Sequence, residues 1–419
     1  MAHHAPVVKP ADDPAFRLPA KWAALPLPLM IAGSVLLVVG FLVAYLLDDI
    51  RVAMSAYLTA FVYVTTIALG SLFFVIIQHL VRAGWSVVVR RVAELFMSLL
   101  LPLGVLFIPV LYSVLFTEGS LYVWDNIDYS KEAFPSEAWK EKDNWLNAGW
   151  FTVRSLIYFA IYGVLAWYYF RGSVEQDSTG QKVATERMQW WAGPATMVFA
   201  LTTTFAAFDW VMSLAPMWFS TMFGVYMFAG SILAAHCVIC LATFLLQRAG
   251  AMRDEVTVEH YHDLGKLIFG FVFFWTYISF SQYLLIWYGN IPEETEWFYH
   301  RSIGSWGILS IVIIFMHWML PFAGTMSVHV RRRPYLMALW SAYLLIMHFV
   351  DVYWMIMPEA RFGIAEGAGV DYAGVAGTIV CGIGMTTLAI GWVLKTAAAV
   401  KVVPVRDPRL AESLAFENI

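Results

Sequence analysis

The residues of this chain with the clearest chemical potential are ionisable side chains set in apolar surroundings. Asp209 follows Thr202, Thr203 and Thr204, a polar streak of the kind that holds water. Asp351 comes three residues after His348, so carboxylate and imidazole share a helix face and form a candidate proton-exchanging pair. His236 and His317 each stand alone among apolar neighbours. Two readings are open for them: hydrogen-bonded core histidines, or a relay converging with His348 and Asp351. His260, His262, Asp263 and Lys266 open another apolar run that carries Ser281 and Gln282 further on. An acidic first turn that complements the helix dipole, with a snorkelling lysine, explains that cluster structurally. The functional alternative is the mouth of a hydrophilic half-path through Ser281 and Gln282. Glu94, with His79, is the corresponding candidate earlier in the chain, against a bland reading as an interfacial charge beside Arg90 and Arg91.

Other chemistries lack their residues. Cys237 and Cys240 lie i, i+3 in an apolar run and read as packing residues, and with Cys381 they give neither a disulfide framework nor a zinc spacing. Paired histidines at the spacing of a two-haem bundle are missing: His317 and His329 are twelve residues apart, and His329 adjoins a basic loop. Neither a glycine-rich phosphate loop nor a hydrolytic triad is visible. Gly224 and Gly230, and Gly377, Gly382, Gly384 and Gly391, read as close-packing positions.

The elements that must carry these residues follow from composition. Of 419 residues, 60% are hydrophobic and only 13% charged, about half the charged fraction of a soluble protein. The excess apolar surface has nowhere to go but lipid. Ten apolar windows of about 20 residues begin near Leu27, Ala53, Val92, Phe151, Ala192, Phe219, Leu264, Ser302, Pro334 and Asp371, each long enough to cross a bilayer. Backbone groups cannot stay unpaired in hydrocarbon, and the alternation of a barrel is absent, so the spans are helices. The expected fold is an all-α integral membrane protein with ten transmembrane helices. A net charge of -4 speaks against nucleic acid as a partner.

Lys and Arg are distributed unevenly between the two sides. The N-terminal tail, the even-numbered loops and the C-terminal end hold 19 of the 26, including Arg90, Arg91, Lys266, Arg331, Arg332 and Arg333. The other side keeps Arg51, Lys131, Lys140, Lys142, Arg154, Arg301 and Arg361. By the positive-inside rule both termini are cytoplasmic. Residues 1–26 read as a tail without a signal peptide, 27–398 as the membrane domain and 399–419 as a second tail. The outer loop, about 118–149, interleaves Trp124, Trp139, Trp145 and Trp150 with Asp and Glu; an aromatic belt and a docking pad for an external subunit are both open.

Two segments align. Asp209 precedes Pro216 by seven residues and Asp351 precedes Pro358 by seven, each at the outer end of an outward-running span. This suggests two four-helix bundles of like orientation, spans two to five (about 53–214) and six to nine (about 219–357), with spans one and ten peripheral.

The stretch Phe208-Asp-Trp-Val-Met-Ser-Leu-Ala-Pro-Met-Trp-Phe-Ser-Thr-Met-Phe-Gly-Val-Tyr-Met-Phe-Ala-Gly230 resembles a hallmark of the F subunit of bacterial alternative complex III, a quinol:electron-acceptor oxidoreductase of the inner membrane. His260-Tyr-His-Asp-Leu-Gly-Lys266 and Ser281-Gln282-Tyr283-Leu-Leu-Ile-Trp-Tyr-Gly-Asn-Ile-Pro-Glu-Glu294 resemble it as well, and the likeness covers spans two to nine. The wider group is the polysulfide-reductase-type (NrfD-like) membrane subunits. The resemblance implies a chain without cofactors of its own. It also implies partners: multihaem cytochrome c, an iron-sulfur protein, small membrane subunits, lipids and a homologous membrane subunit that binds quinol. Asp209 matches the family's Asp-Trp motif, and His260, His262, Asp263 and Lys266 its His-x-His-Asp segment. Ala215 and Met217 stand where relatives often carry polar residues, which leaves Asp209 with fewer outward partners. The reading that follows is a non-catalytic subunit supporting quinol oxidation and offering proton half-paths through Asp209, Thr203, Glu94, His236, Asp263, Lys266, Ser281, Gln282, His317, His348 and Asp351. A structural brace, a second quinone-binding subunit and, less well matched, a secondary transporter are the alternatives.

Overall fold

The computed structural model describes residues 9–126, 142–361 and 372–418. Among these residues there are helices and no strand. Ten helices are long and apolar enough to cross a membrane: α1 (Pro26–Leu47), α2 (Ile50–Leu80), α3 (Val87–Phe116), α4 (Ala148–Thr179), α5 (Lys182–Leu214), α6 (Phe223–Ala249), α7 (Val258–Gly289), α8 (Gly304–Met326), α9 (Pro334–Ala360) and α10 (Gly374–Ala399). Three of them, α2, α4 and α7, have 31 or 32 residues. At 1.5 Å per residue that is roughly 47 Å, against roughly 30 Å of hydrocarbon. Their polar ends therefore stand clear of the apolar layer. This is why α7 begins at Val258 rather than near Leu264.

At the centre α2 and α6 pack against each other; 89% of the most apolar window of α2 is buried inside the protein, against 17% for α8. The backbones come close enough that a Cβ on Gly70 would overlap the Ser231 carbonyl. Around this pair, α2 touches α3, α5 and α9, α6 touches α5, α7 and α9, and α3–α4, α4–α5, α7–α8 and α8–α9 are in contact. The first and last spans, α1 and α10, form their own close pair against α2. A Cβ on Gly384 would sit 2.5 Å from the Leu37 amide nitrogen, so only small residues allow that approach.

Two spans are irregular for reasons visible in their sequences. In α3 the helix is broken into Val87–Met97, Leu100–Leu106 and Ile108–Phe116, with Pro102 and Pro109 inside the span. In α8 residues Ile314–Met319 form a π-helix. Pro321 lies just beyond: it has no amide hydrogen for the His317 carbonyl, and its ring would strike that carbonyl in a regular α-helix. Widening by one residue per turn relieves the clash and places His317 in the wide turn.

The described residues nearest both ends of the sequence are docked. At the end of the molecule that carries them, the terminal end, Phe16 is buried and its carbonyl accepts from Val402 N at 2.8 Å. Lys401 pairs with Asp12 at 3.3 Å, and Lys9 with Asp254 at 2.7 Å and Glu255 at 2.9 Å. Hydrogen bonding to those two carboxylates raises the pKa of the Lys9 ammonium above its usual range. The loop expected over about 118–149 is described only outside 127–141, so Trp139 and most of its acidic residues lie beyond the described residues, as does Asp371, where the tenth span was expected to begin.

Candidate functional site

Asp351 is held in the protein interior by α9 and is 1% exposed. From α6 the Tyr226 hydroxyl donates to one of its oxygens at 2.5 Å, and from α7 the Trp275 indole N–H donates to the other at 3.1 Å. Both donors are neutral. Among the described residues no Lys or Arg pairs with this carboxylate. The Trp275 ring in turn packs on the His317 ring of α8, with centroids 4.1 Å apart. His317 is fully buried, and neither of its ring nitrogens has a hydrogen-bond partner. A buried polar atom left unpaired costs roughly 1–3 kcal/mol, so this is an expensive place to keep an imidazole.

His348 lies one turn from Asp351 on α9, but the two do not bond to each other. The expected direct pair is not present. His348 Nε2 instead meets the Thr66 hydroxyl of α2 at 2.8 Å. The hydroxyl is also 2.8 Å from the Tyr63 carbonyl; with its proton on that carbonyl, Nε2–H donates to Thr66 and Nδ1 is the bare nitrogen. That Nδ1 is buried without a partner. His236 does not join the group. Its Nδ1 lies 2.7 Å from the Ile232 carbonyl one turn back, and its ring sits between Phe74 and Phe271. The arrangement is that of a satisfied core histidine.

The second buried aspartate is placed quite differently. Asp209, fully buried near the end of α5, takes Arg154 Nε at 2.7 Å and Arg154 Nη2 at 2.9 Å on its two oxygens. The Tyr158 hydroxyl donates to it at 2.7 Å and the Trp145 indole at 2.8 Å. Arg154 is also stacked over Trp145, 4.1 Å from the ring centroid. Ala215 and Met217 give Asp209 no polar contact, but α4 supplies Arg154 and, one turn later, Tyr158. Sequence reasoning counted Arg154 as a loop charge. The Arg-x-x-x-Tyr spacing on an apolar helix was the signal that could have placed both on one face.

A small, mainly apolar void lies among α2, α5 and α6. Thr203, which accepts from the Tyr162 hydroxyl at 3.4 Å, lines it with Thr65, Thr66 and Ser231. Its volume is about 20 Å³ and its surface is almost wholly apolar, which makes it a poor site for water.

Glu94, Asp263, Lys266 and His260 belong to the terminal end, and Ser281 and Gln282 lie toward the opposite end of α7. Glu94 is buried between Arg90 (3.3 Å) and Arg91 (2.9 Å); Arg90 also binds Asp407 at 2.5 Å and Arg91 binds Asp177 at 2.8 Å. Asp263 pairs with Lys266 at 2.7 Å, and Lys266 reaches Asn418 at 2.6 Å. His260 caps its own helix through Thr257 and its Nε2 meets the Ser413 carbonyl at 3.1 Å. Gln282 is buried with its carbonyl oxygen unpaired, whereas Ser281 turns outward and bonds to the Tyr277 carbonyl at 2.6 Å. Neighbours on a helix point different ways, so the two do not line one path.

Arg301 was not singled out from the sequence. It is 1% exposed, donates to Glu359 at 2.9 Å and to the carbonyls of Trp297, Trp354 and Met355, and lies 3.5 Å from the centroid of Trp297. Burial pulls its pKa below the usual arginine range, opposed by Glu359. No group of three His, Cys, Asp or Glu among the described residues is placed to hold a metal ion. The chain matches no protein-family model, and no curated protein is significantly similar to it.

Proposed function

We propose that the chain is a multi-pass inner-membrane subunit of quinol-oxidising machinery of the alternative complex III type, and that it handles protons at the Asp351 group. The observation that carries the second part is a carboxylate deep among apolar helices, bonded among the described residues only by Tyr226 and Trp275, beside two histidines with unpartnered nitrogens. Uncompensated ionisable groups at membrane depth are costly and typically mark ion or proton pathways. Asp351 can alternate between carboxyl and carboxylate. His348 Nδ1 and the unprotonated ring nitrogen of His317 offer acceptor sites near it.

The sequence motifs around Phe208–Gly230 and His260–Lys266 support the assignment to the complex. The helix contacts α2–α5 and α6–α9 agree with two four-helix bundles of like orientation, and the Lys and Arg distribution supports cytoplasmic termini. Haem c, iron-sulfur clusters and the quinol site would reside in partner subunits.

The test is Asp351→Asn in the assembled complex reconstituted in vesicles. Quinol oxidation persists while fewer protons move per electron; an unchanged proton-to-electron ratio rejects the proton role. A second reading, a brace for a sister subunit, is favoured by the complete compensation of Asp209 by Arg154 and of Arg301 by Glu359. Under it, neutralising any buried carboxylate alters assembly and yield alone.

A further inference from the structure

At the end of the molecule opposite its termini, α7 runs out through Tyr283 and Trp287, and the chain turns back at Asn290 into the helix Pro292–His300. Between the two lies a cleft of about 670 Å³, a volume within the range of small-ligand sites. Tyr283, Trp287, Phe298 and Tyr299 line it, together with Glu293 and Glu296. Among the described residues neither carboxylate has a Lys or Arg partner; Glu296 has only His300, at 3.9 Å. Four aromatic rings and two carboxylates without a strong cation describe a site short of positive charge. Ammonium groups are attracted to aromatic faces, with Trp the best of them, and more strongly where a carboxylate is at hand.

The cleft's position decides what carries that charge. Trp287 and Tyr299 are each 61% exposed, and below them Leu284, Leu285 and Phe280 of α7 are exposed as well, a lipid-facing apolar strip under an aromatic rim. A ligand here has a cationic head in the cleft and an apolar body along α7. Asn290, which also lines the cleft, supplies an amide donor of the type that binds a phosphate oxygen. We propose that this cleft binds the head of an aminophospholipid, with its ammonium between Glu293, Glu296 and the aromatic faces. The assignment is independent of the proton path.

The test uses the purified full chain in a non-ionic detergent, titrated with dihexanoyl phosphatidylethanolamine below its micelle concentration and read by tryptophan fluorescence. Parallel arms use dihexanoyl phosphatidylglycerol, which lacks the amine, and free ethanolamine, which lacks the lipid. Saturable binding of phosphatidylethanolamine at least tenfold tighter than either control is expected, and a Glu293→Gln/Glu296→Gln double variant loses about tenfold in affinity. Both glutamates are surface residues, so this variant folds; an unchanged melting temperature verifies it. Equal binding of phosphatidylglycerol, or unaltered affinity in the double variant, overturns the proposal. Ethanolamine binding as tightly as the phospholipid overturns the lipid as its source.

Discussion

The contrast between the two buried aspartates gives the sharpest test of the physical reading. Arg154→Met removes the cation that compensates Asp209 and leaves a fully buried carboxylate facing two neutral donors, Tyr158 and Trp145. The Arg154 side chain is 13% exposed and that of Asp209 is 0%, so solvent screens the pair little. Removing one partner of such a pair costs about 3–5 kcal/mol. Asp351→Asn removes a carboxylate that has no cation to orphan. The new amide accepts from Trp275 through its oxygen and donates through its nitrogen to Tyr226, whose hydroxyl can turn to accept, so the loss is about 1 kcal/mol. Unfolding of the purified chain by dodecyl sulfate in mixed micelles, followed by tryptophan fluorescence, measures both. The double variant Arg154→Met/Asp209→Asn should recover about half or more of the single-variant loss, because the stranded charge is gone. If Arg154→Met costs under about 1 kcal/mol, or Asp351→Asn costs as much as Arg154→Met, the division into a compensated and an uncompensated carboxylate is wrong.

Asp407→Ala strips Arg90 of its 2.5 Å partner in a site where both side chains are nearly sealed from water; a loss of about 3 kcal/mol is expected in the same unfolding assay, partly offset by Glu94. Gly70→Ala forces a methyl group into the Ser231 carbonyl at the α2–α6 crossing. It should cost about 1–3 kcal/mol or more, and yield of monodisperse protein reports it. Burial, with Glu118 nearby, raises the Asp125 carboxyl to a pKa of about 7. Its folded pKa exceeds the unfolded value of about 3.9, so the folded state holds the proton more tightly; the stability this gives is present at low pH and is lost as pH rises through 7. Hydrogen exchange over residues 121–126, corrected for its intrinsic pH dependence, should show more opening at pH 8 than at pH 6, and Asp125→Asn should abolish the difference.

The ten spans were readable because apolar length is a one-dimensional property, and the sequence carries it directly. Helix ends were less so, since α4 and α7 run past the hydrocarbon with polar turns that no apolar window includes. The buried ionisable residues were equally visible, but their partners were not. Shared face and short spacing suggested that His348 served Asp351; packing instead gave Asp351 to Tyr226 and Trp275, and His348 to Thr66 on α2. These contacts bridge 76 to 282 positions along the chain, beyond any periodicity. Arg154 was misread because a basic residue near a helix start resembles a loop charge until Asp209 is found beside it. The π-turn at His317 had its cause in plain view at Pro321, yet a proline in a span can equally kink it, as Pro102 and Pro109 accompany the breaks in α3.

The docked C-terminal segment sets an order of events during synthesis. Arg90 enters the membrane region with the third span, more than 300 residues before Asp407 exists to receive it, and His260 likewise precedes Ser413 by 153. Until those last residues emerge, that face of the molecule has no finished set of contacts, and its arginines must wait in water or on lipid phosphates. Closure of this surface therefore waits on Asp407 and Ser413, and a chain lacking them would leave open the face that they close.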